Sequence, residues 1–267
     1  MIIKALIFFI LISLTSTINA NEVKICDDKG EWAPFSYFER INGVPDKTKL
    51  TGAVTELLDE VFKIVDLPHS IDMIPWKRCT NSVSKYEKLK KYEVFINGSY
   101  NKERAKKYHL SDPIYTTNKA VFYSKEKYPN GILENNKLNI NKFKVCDVHG
   151  YNTEFYFKKL GLNKDTKIDQ GGKTIISVLQ KIDKKRCDMI IVSQEPVYGG
   201  VAVGKYKLPE SIRSQIVTTL KPTNFHMFIS KGSSRADELL EKINKAIKIL
   251  KNNGVYDEIF SKYLPKN

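Results

Sequence analysis

The segment NGSYNKERAKKYHLSDPIYTT, residues 97–117, holds the side chains of this chain best suited to grip an anion. The Arg104 guanidinium presents a planar fork that can hold a carboxylate by two parallel hydrogen bonds. Ser99, five residues earlier, offers a hydroxyl to the same group. Spacing alone leaves a second reading open, in which Arg104 begins a surface helix beside Lys106 and Lys107.

Such a pair acts only if a scaffold holds it, and the flanking sequence supplies one. Val23–Cys26 reads as a strand. Val54, Leu57, Leu58, Val61, Phe62 and Val65 form a helical stripe, and Ile71–Ile74 is a second strand. After Pro75 and Trp76, a helix carries Val83, Tyr86 and Leu89, and Tyr92–Ile96 is a third strand. This order predicts a parallel sheet with helical crossovers. The pattern restarts at 143–148, a strand followed by a helix with Tyr151, Phe155 and Leu160. Gly171-Gly172 is expected to open another helix, and 187–192 to be a buried strand ending at Ser193-Gln194-Glu195. Two α/β units result, and open α/β sheets bind ligands at the carboxyl ends of their strands. A long C-terminal helix is capped by Ser233 or Ser234 and stopped near Gly254, with a short amphipathic piece to Leu264. The polar stretch 130–142 reads as a surface loop.

Length, charge and cysteines bound the class. Of 267 residues, the first 20 combine Lys4, the apolar run 5–14 and a small residue at Ala20, which reads as a cleaved export signal, too short to span a bilayer stably. The remainder suffices for two lobes. The net charge of +14 is spread along the chain without an Arg-rich block, so nucleic acid is not an expected partner. Four cysteines in an exported chain imply two disulfides with three possible pairings. Cys26–Cys79 and Cys146–Cys187 are favoured because each closes within one lobe. Neither a clustered metal motif, a Gly-x-Ser-x-Gly elbow nor a phosphate loop is present, so no cofactor and no metal is expected. His69, His109, His149 and His226 are scattered.

Three blocks together resemble the family 3 extracellular solute-binding proteins, the class that delivers polar amino acids to ABC importers. They are EWAPFSYF at 31–38 with Gly52, the block 97–115, and 229–264 with its Lys-Gly, long helix, Asn-Gly-x-Tyr and closing Ile-x-x-Lys-Tyr. The resemblance implies a periplasmic binding protein-like α/β fold of two lobes joined by two hinge strands. By that likeness, 21–116 with 225–267 form lobe 1 and 117–224 form lobe 2. The crossings fall near 115–118 and 223–225.

The resemblance also implies a ligand set. Arg104 and Ser99 would hold a carboxylate, Asn97 would contribute backbone groups, and Trp32 and Trp76 would pack on the ligand. In lobe 2, Tyr151 and Asn152 lie in a loop expected to open a helix whose free N–H groups favour an anion. The family usually places an Asp after the strand equivalent to 189–192, to pair with a ligand ammonium. Here Ser193 stands there, with Glu195 two residues on. A dicarboxylate, a modified amino acid or another small carboxylate would fit this departure.

The expected function is therefore periplasmic capture of a carboxylate-bearing solute by a monomer that hands it to a membrane permease. Two alternatives share the scaffold. One is a cyclohexadienyl dehydratase-like enzyme using Glu31, Glu195 or Asp112. The other is a ligand-sensing subunit for a membrane receptor.

Overall fold

The computed structural model describes residues 22–163, 166 and 168–264, so the expected export signal lies outside the described residues. Among the described residues no helix is long and apolar enough to cross a membrane.

The first lobe is built on the sheet that the sequence pattern requires. Strand Val23–Asp28 runs parallel to His69–Ile74 on one side and to Val94–Ser99 on the other. Thr223–Ser230 then joins Val94–Ser99 antiparallel and carries Tyr108–Leu110 and Tyr115–Thr117 on its far edge. Helix Ala53–Val65 lays Val54, Leu57, Leu58, Val61 and Phe62 on one face of this sheet. There it meets Leu239, Ile243, Ile247 and Leu250 of helix Ala236–Asn252. The opposite face is covered by helix Trp76–Ser84, where Cys79 is bonded to Cys26.

The second lobe centres on Lys119–Ser124, a strand buried along its whole length, paired antiparallel with Met189–Ser193 and Ile212–Ile216. Cys146–Val148 pairs parallel with Asp169–Gly172, and Cys146 is bonded to Cys187. Apolar side chains pack on both faces of the central strand.

Two extended segments join the lobes. Thr117 faces Thr223, Thr116 faces Asn224 and Tyr115 faces Phe225, so the crossings run as an antiparallel pair.

Several local expectations are corrected. The helix after Trp76 breaks at Lys85 into two, Trp76–Ser84 and Tyr86–Leu89, and Leu89 is exposed. Gly171-Gly172 does not open a helix. It ends strand Asp169–Gly172, and Thr174 caps the following helix Ile175–Asp183 through its hydroxyl. In the helix Glu154–Lys159, Phe157 is the inward ring and Phe155 is exposed. Neither Ser233 nor Ser234 is the N-cap of Ala236–Asn252. Arg235 occupies that position, because the Ser233 hydroxyl is drawn to the buried Glu93 carboxylate at 2.5 Å. The stretch 130–142 is more than a surface loop, since Ile132, Leu138 and Ile140 are buried against lobe 2. The hairpin of Tyr37–Ile41 and Val44–Thr51 was not read from the sequence. Asn42 and Gly43 both take positive φ at its turn, which Asn-Gly adopts at little cost.

Candidate functional site

The cleft between the lobes is lined from lobe 1 by Asp27, Asp28, Trp32, Trp76, Asn97, Ser99 and Arg104, and by Phe225 at the second crossing. Lys119, Tyr151, Asn152, Thr153 and Tyr156 face them from lobe 2. Its empty space, open mouth included, is about 650 Å³.

Arg104 reaches this cleft because of a short capped helix. The Asn101 side chain accepts from the Arg104 N–H at 2.7 Å, which starts helix Lys102–Lys107 just beyond the carboxyl end of the central strand Val94–Ser99. The guanidinium turns back to donate to the Ser99 carbonyl at 2.7 Å. It lies over the Trp76 and Phe228 rings at 5.4 and 5.9 Å. Burial pushes its pKa down, yet an arginine so placed stays charged. Among the described residues no carboxylate is paired with it.

Asn97 lines the cleft, and its side chain is committed to partners within lobe 1. It sits in the left-handed region, at φ 56°. Its side-chain amide donates to Asp27 at 2.6 Å and to Ser36 at 3.0 Å, and its carbonyl accepts from the Tyr115 hydroxyl at 2.9 Å. Asn97 thus braces the floor of the cleft. Burial raises the Asp27 carboxyl to about 7, against the pull of its bonds from the Asp28 N–H and Asn97.

The aromatic residues meet across the opening. Trp32 of lobe 1 stands edge-on to Tyr151 of lobe 2 at 6.0 Å and lies 5.9 Å from Phe225. Asn152 donates across the gap to the Ser99 hydroxyl at 3.3 Å and to the Tyr100 carbonyl at 3.2 Å. Lys77 meets His149 at 2.7 Å, and Lys205 donates to the carbonyls of Gly30 and Glu31. Gly199 packs so tightly on lobe 1 that a Cβ there would lie 2.5 Å from the Ala33 carbonyl oxygen. The lobes are therefore closed on one another.

Lys119 was missed by sequence reasoning. It is 5% exposed, donates to the Ser193 hydroxyl at 2.7 Å, and lies over the Tyr156 and Phe225 rings at 4.9 and 5.8 Å. Burial lowers its pKa to about 8, while the Glu195 charge opposes that shift. The usable signal was its place at the start of the apolar run AVFY, directly after the hinge.

Ser193 and Glu195 are not among the cleft-lining residues. Ser193 is buried behind the cleft, bonded to Lys119 and to Thr117 at 2.7 Å each. Glu195 accepts from the Asn118 N–H at 2.8 Å, so it fastens the first crossing to helix Gln194–Ala202. The loop at Tyr151 and Asn152 leads into a helix of only six residues. Thr153 leaves its end uncapped by bonding Asp147 instead. None of the three carboxylates of the dehydratase alternative is among the residues that line the cleft. Glu31 pairs with Arg40 at 2.5 Å, and Asp112 lies at the lobe 1 surface beside Asn244.

Residues 25–266 match the family model of bacterial extracellular solute-binding proteins, family 3. The chain belongs to that family. This family 3 protein is similar to the L-cystine-binding protein TcyA of Bacillus subtilis (strain 168). The two are 25% identical over 252 residues, covering 94% of this chain and 84% of TcyA. Among solved structures it shares its fold with the arginine-, lysine-, histidine-binding protein ArtJ of Geobacillus stearothermophilus. There the TM-score is 0.69 at 20% identity, over 92% of this chain and 96% of ArtJ. A histidine kinase sensor domain similar to periplasmic binding proteins matches at a TM-score of 0.70 and 16% identity, over 92% and 97% of the two chains. The two α/β lobes and paired crossings of this family 3 protein are thus the periplasmic binding protein fold.

Proposed function

We propose that this family 3 protein is the exported capture component of an ABC importer. On this reading it works as a periplasmic monomer, takes up one small carboxylate-bearing solute between its lobes and presents the closed form to a membrane permease. Residues 21–116 with 225–267 form the first lobe, and 117–224 the second. The relatives named for binding cystine and arginine, lysine or histidine support a ligand of amino-acid size.

One observation carries the proposal. Arg104 is a charged, half-buried guanidinium that lines the closed cleft and, among the described residues, has only a backbone carbonyl and two aromatic rings as partners. A cation in such surroundings is stabilised by an incoming carboxylate, which completes its planar fork. Ser99 and Asn152 offer further polar contacts, and Trp32, Trp76 and Tyr151 supply the apolar walls.

The test is a thermal-shift screen of the purified protein against amino acids, other small carboxylates and uncharged or cationic amines. Carboxylates alone should raise the melting temperature, since a ligand at about 100 times its Kd adds about 2.7 kcal/mol. Stabilisation by amines that lack a carboxylate, with none from carboxylates, would overturn the proposal.

A further inference from the structure

We propose that Lys119 takes the place of the ligand's own α-ammonium, so that the cleft selects a small carboxylate whose neighbouring carbon carries no ammonium group. The inference rests on the reading that Arg104 receives a carboxylate.

Three observations on lobe 2 carry it. First, Lys119 lines the same cleft as Arg104, and the Tyr156 ring lies under its ammonium. Second, the hydroxyl of Ser193 is already engaged by Lys119 and Thr117, and Glu195 is turned to Asn118. Third, none of the described lobe 2 residues that line the cleft is acidic. A ligand whose carboxylate sat on Arg104 would bring an α-ammonium toward Lys119, with no anion from that lobe to receive it. Two ammonium groups in a water-poor cleft repel, and neither could donate usefully to the other.

Lys119 instead supplies a donor of its own. Its ammonium carries three hydrogens, and Ser193 is the one hydrogen-bond acceptor it has among the described residues. With Arg104 it makes a positive pole that suits a carboxylate. Burial lowers its pKa, but only to about 8, so most molecules keep the charge at neutral pH.

The acidic residues of the cleft lie on the other side. Asp27 and Asp28 end the strand next to Val94–Ser99 on one flank, whereas Phe225, under Lys119, belongs to the strand on the opposite flank. Those two flanking strands are two spacings apart, about 10 Å. A positive group on the ligand is therefore tolerated only at its far end, toward Asp28. The shared chemistry is a carboxylate without an α-ammonium, and the tail distinguishes an ω-amino or guanidino acid from a dicarboxylate.

The decisive experiment is calorimetry of the purified protein with matched pairs that differ only in the α-ammonium. These are 6-aminohexanoate against lysine, 5-guanidinopentanoate against arginine, and glutarate against glutamate. In at least one pair the member without the α-ammonium should bind tenfold tighter or better, and Lys119→Met should shrink that preference to threefold or less. Preference for the basic-tailed acids identifies the Asp28 side as a cation subsite; preference for glutarate identifies a diacid. α-Amino acids that bind as tightly as their partners in every pair that binds, or a preference unchanged in Lys119→Met, overturn the inference and leave the role of Arg104 intact. Binding by no member of any pair removes the carboxylate reading itself, and the inference with it.

Discussion

The Asn97 amide donates to the Asp27 carboxylate at 2.6 Å, tying together the ends of two adjacent parallel strands directly beneath the cleft. Asp27 is 1% exposed, and burial lifts its pKa from 3.8 to about 7. The folded protein therefore keeps a proton that the unfolded chain gives up near pH 4. The resulting stability is complete below about pH 4 and is lost as pH rises to about 7. Asp147, raised to about 6 by the same cause, adds a smaller effect of the same sign. Asp27→Asn should flatten the decline, which can reach about 1.4 kcal/mol per pH unit. Urea midpoints of wild type and variant at intervals from pH 4 to 8 check this; parallel curves would exclude Asp27 as the source.

Gly199 governs closure. A side chain there collides with the Ala33 carbonyl across the gap, so Gly199→Val should hold the lobes apart. The expected result is a tenfold or greater loss of ligand affinity, with little change in the melting temperature of the unliganded protein. Unchanged affinity by calorimetry would mean that the ligand is held by a less closed form.

The disulfides act on the unfolded chain. Cys26–Cys79 and Cys146–Cys187 span 53 and 41 residues, and loops of that length are each worth about 4 kcal/mol in the chain-entropy model. The native protein should show no reactive thiol before denaturation. Replacing Cys26 and Cys79 together by Ser should lower the denaturant midpoint, and an unchanged midpoint would contradict the assignment of that stabilisation.

Arg104→Ala removes the guanidinium and exposes the Ser99 carbonyl to water. Loss of a buried, charge-assisted contact should cost about 2–5 kcal/mol of binding. The unliganded protein should melt nearly as before, because among the described residues Arg104 has no charged partner to strand. Calorimetry of both proteins with one shared ligand checks this, and equal affinities would remove Arg104 from the site.

The frame of the fold was legible because its signals are periodic. The stripe from Val54 to Val65 and the apolar strands around it read the same in sequence and structure. Arg104 and Ser99 were legible because they lie five residues apart on one strand-turn-helix. Lys119 was not, because its meaning comes from Ser193, 74 residues away, which the antiparallel pairing of Lys119–Ser124 with Met189–Ser193 sets directly opposite it. Ser193 and Glu195 were placed on the right strand end, but their side chains turn to the first crossing, a choice made by Lys119 and Asn118. The hairpin around Asn42-Gly43 carried a recognisable turn signal; its flanking residues are too polar and exposed to have read as strands.

We expect the Arg104 guanidinium to receive the carboxylate of the solute. A crystal structure of the ligand-filled protein measures this directly. A ligand oxygen is expected within about 3 Å of the guanidinium nitrogens, with Trp32 and Trp76 flanking the solute. A filled cleft in which Arg104 keeps only the Ser99 carbonyl, while the anionic group lies elsewhere, would contradict it.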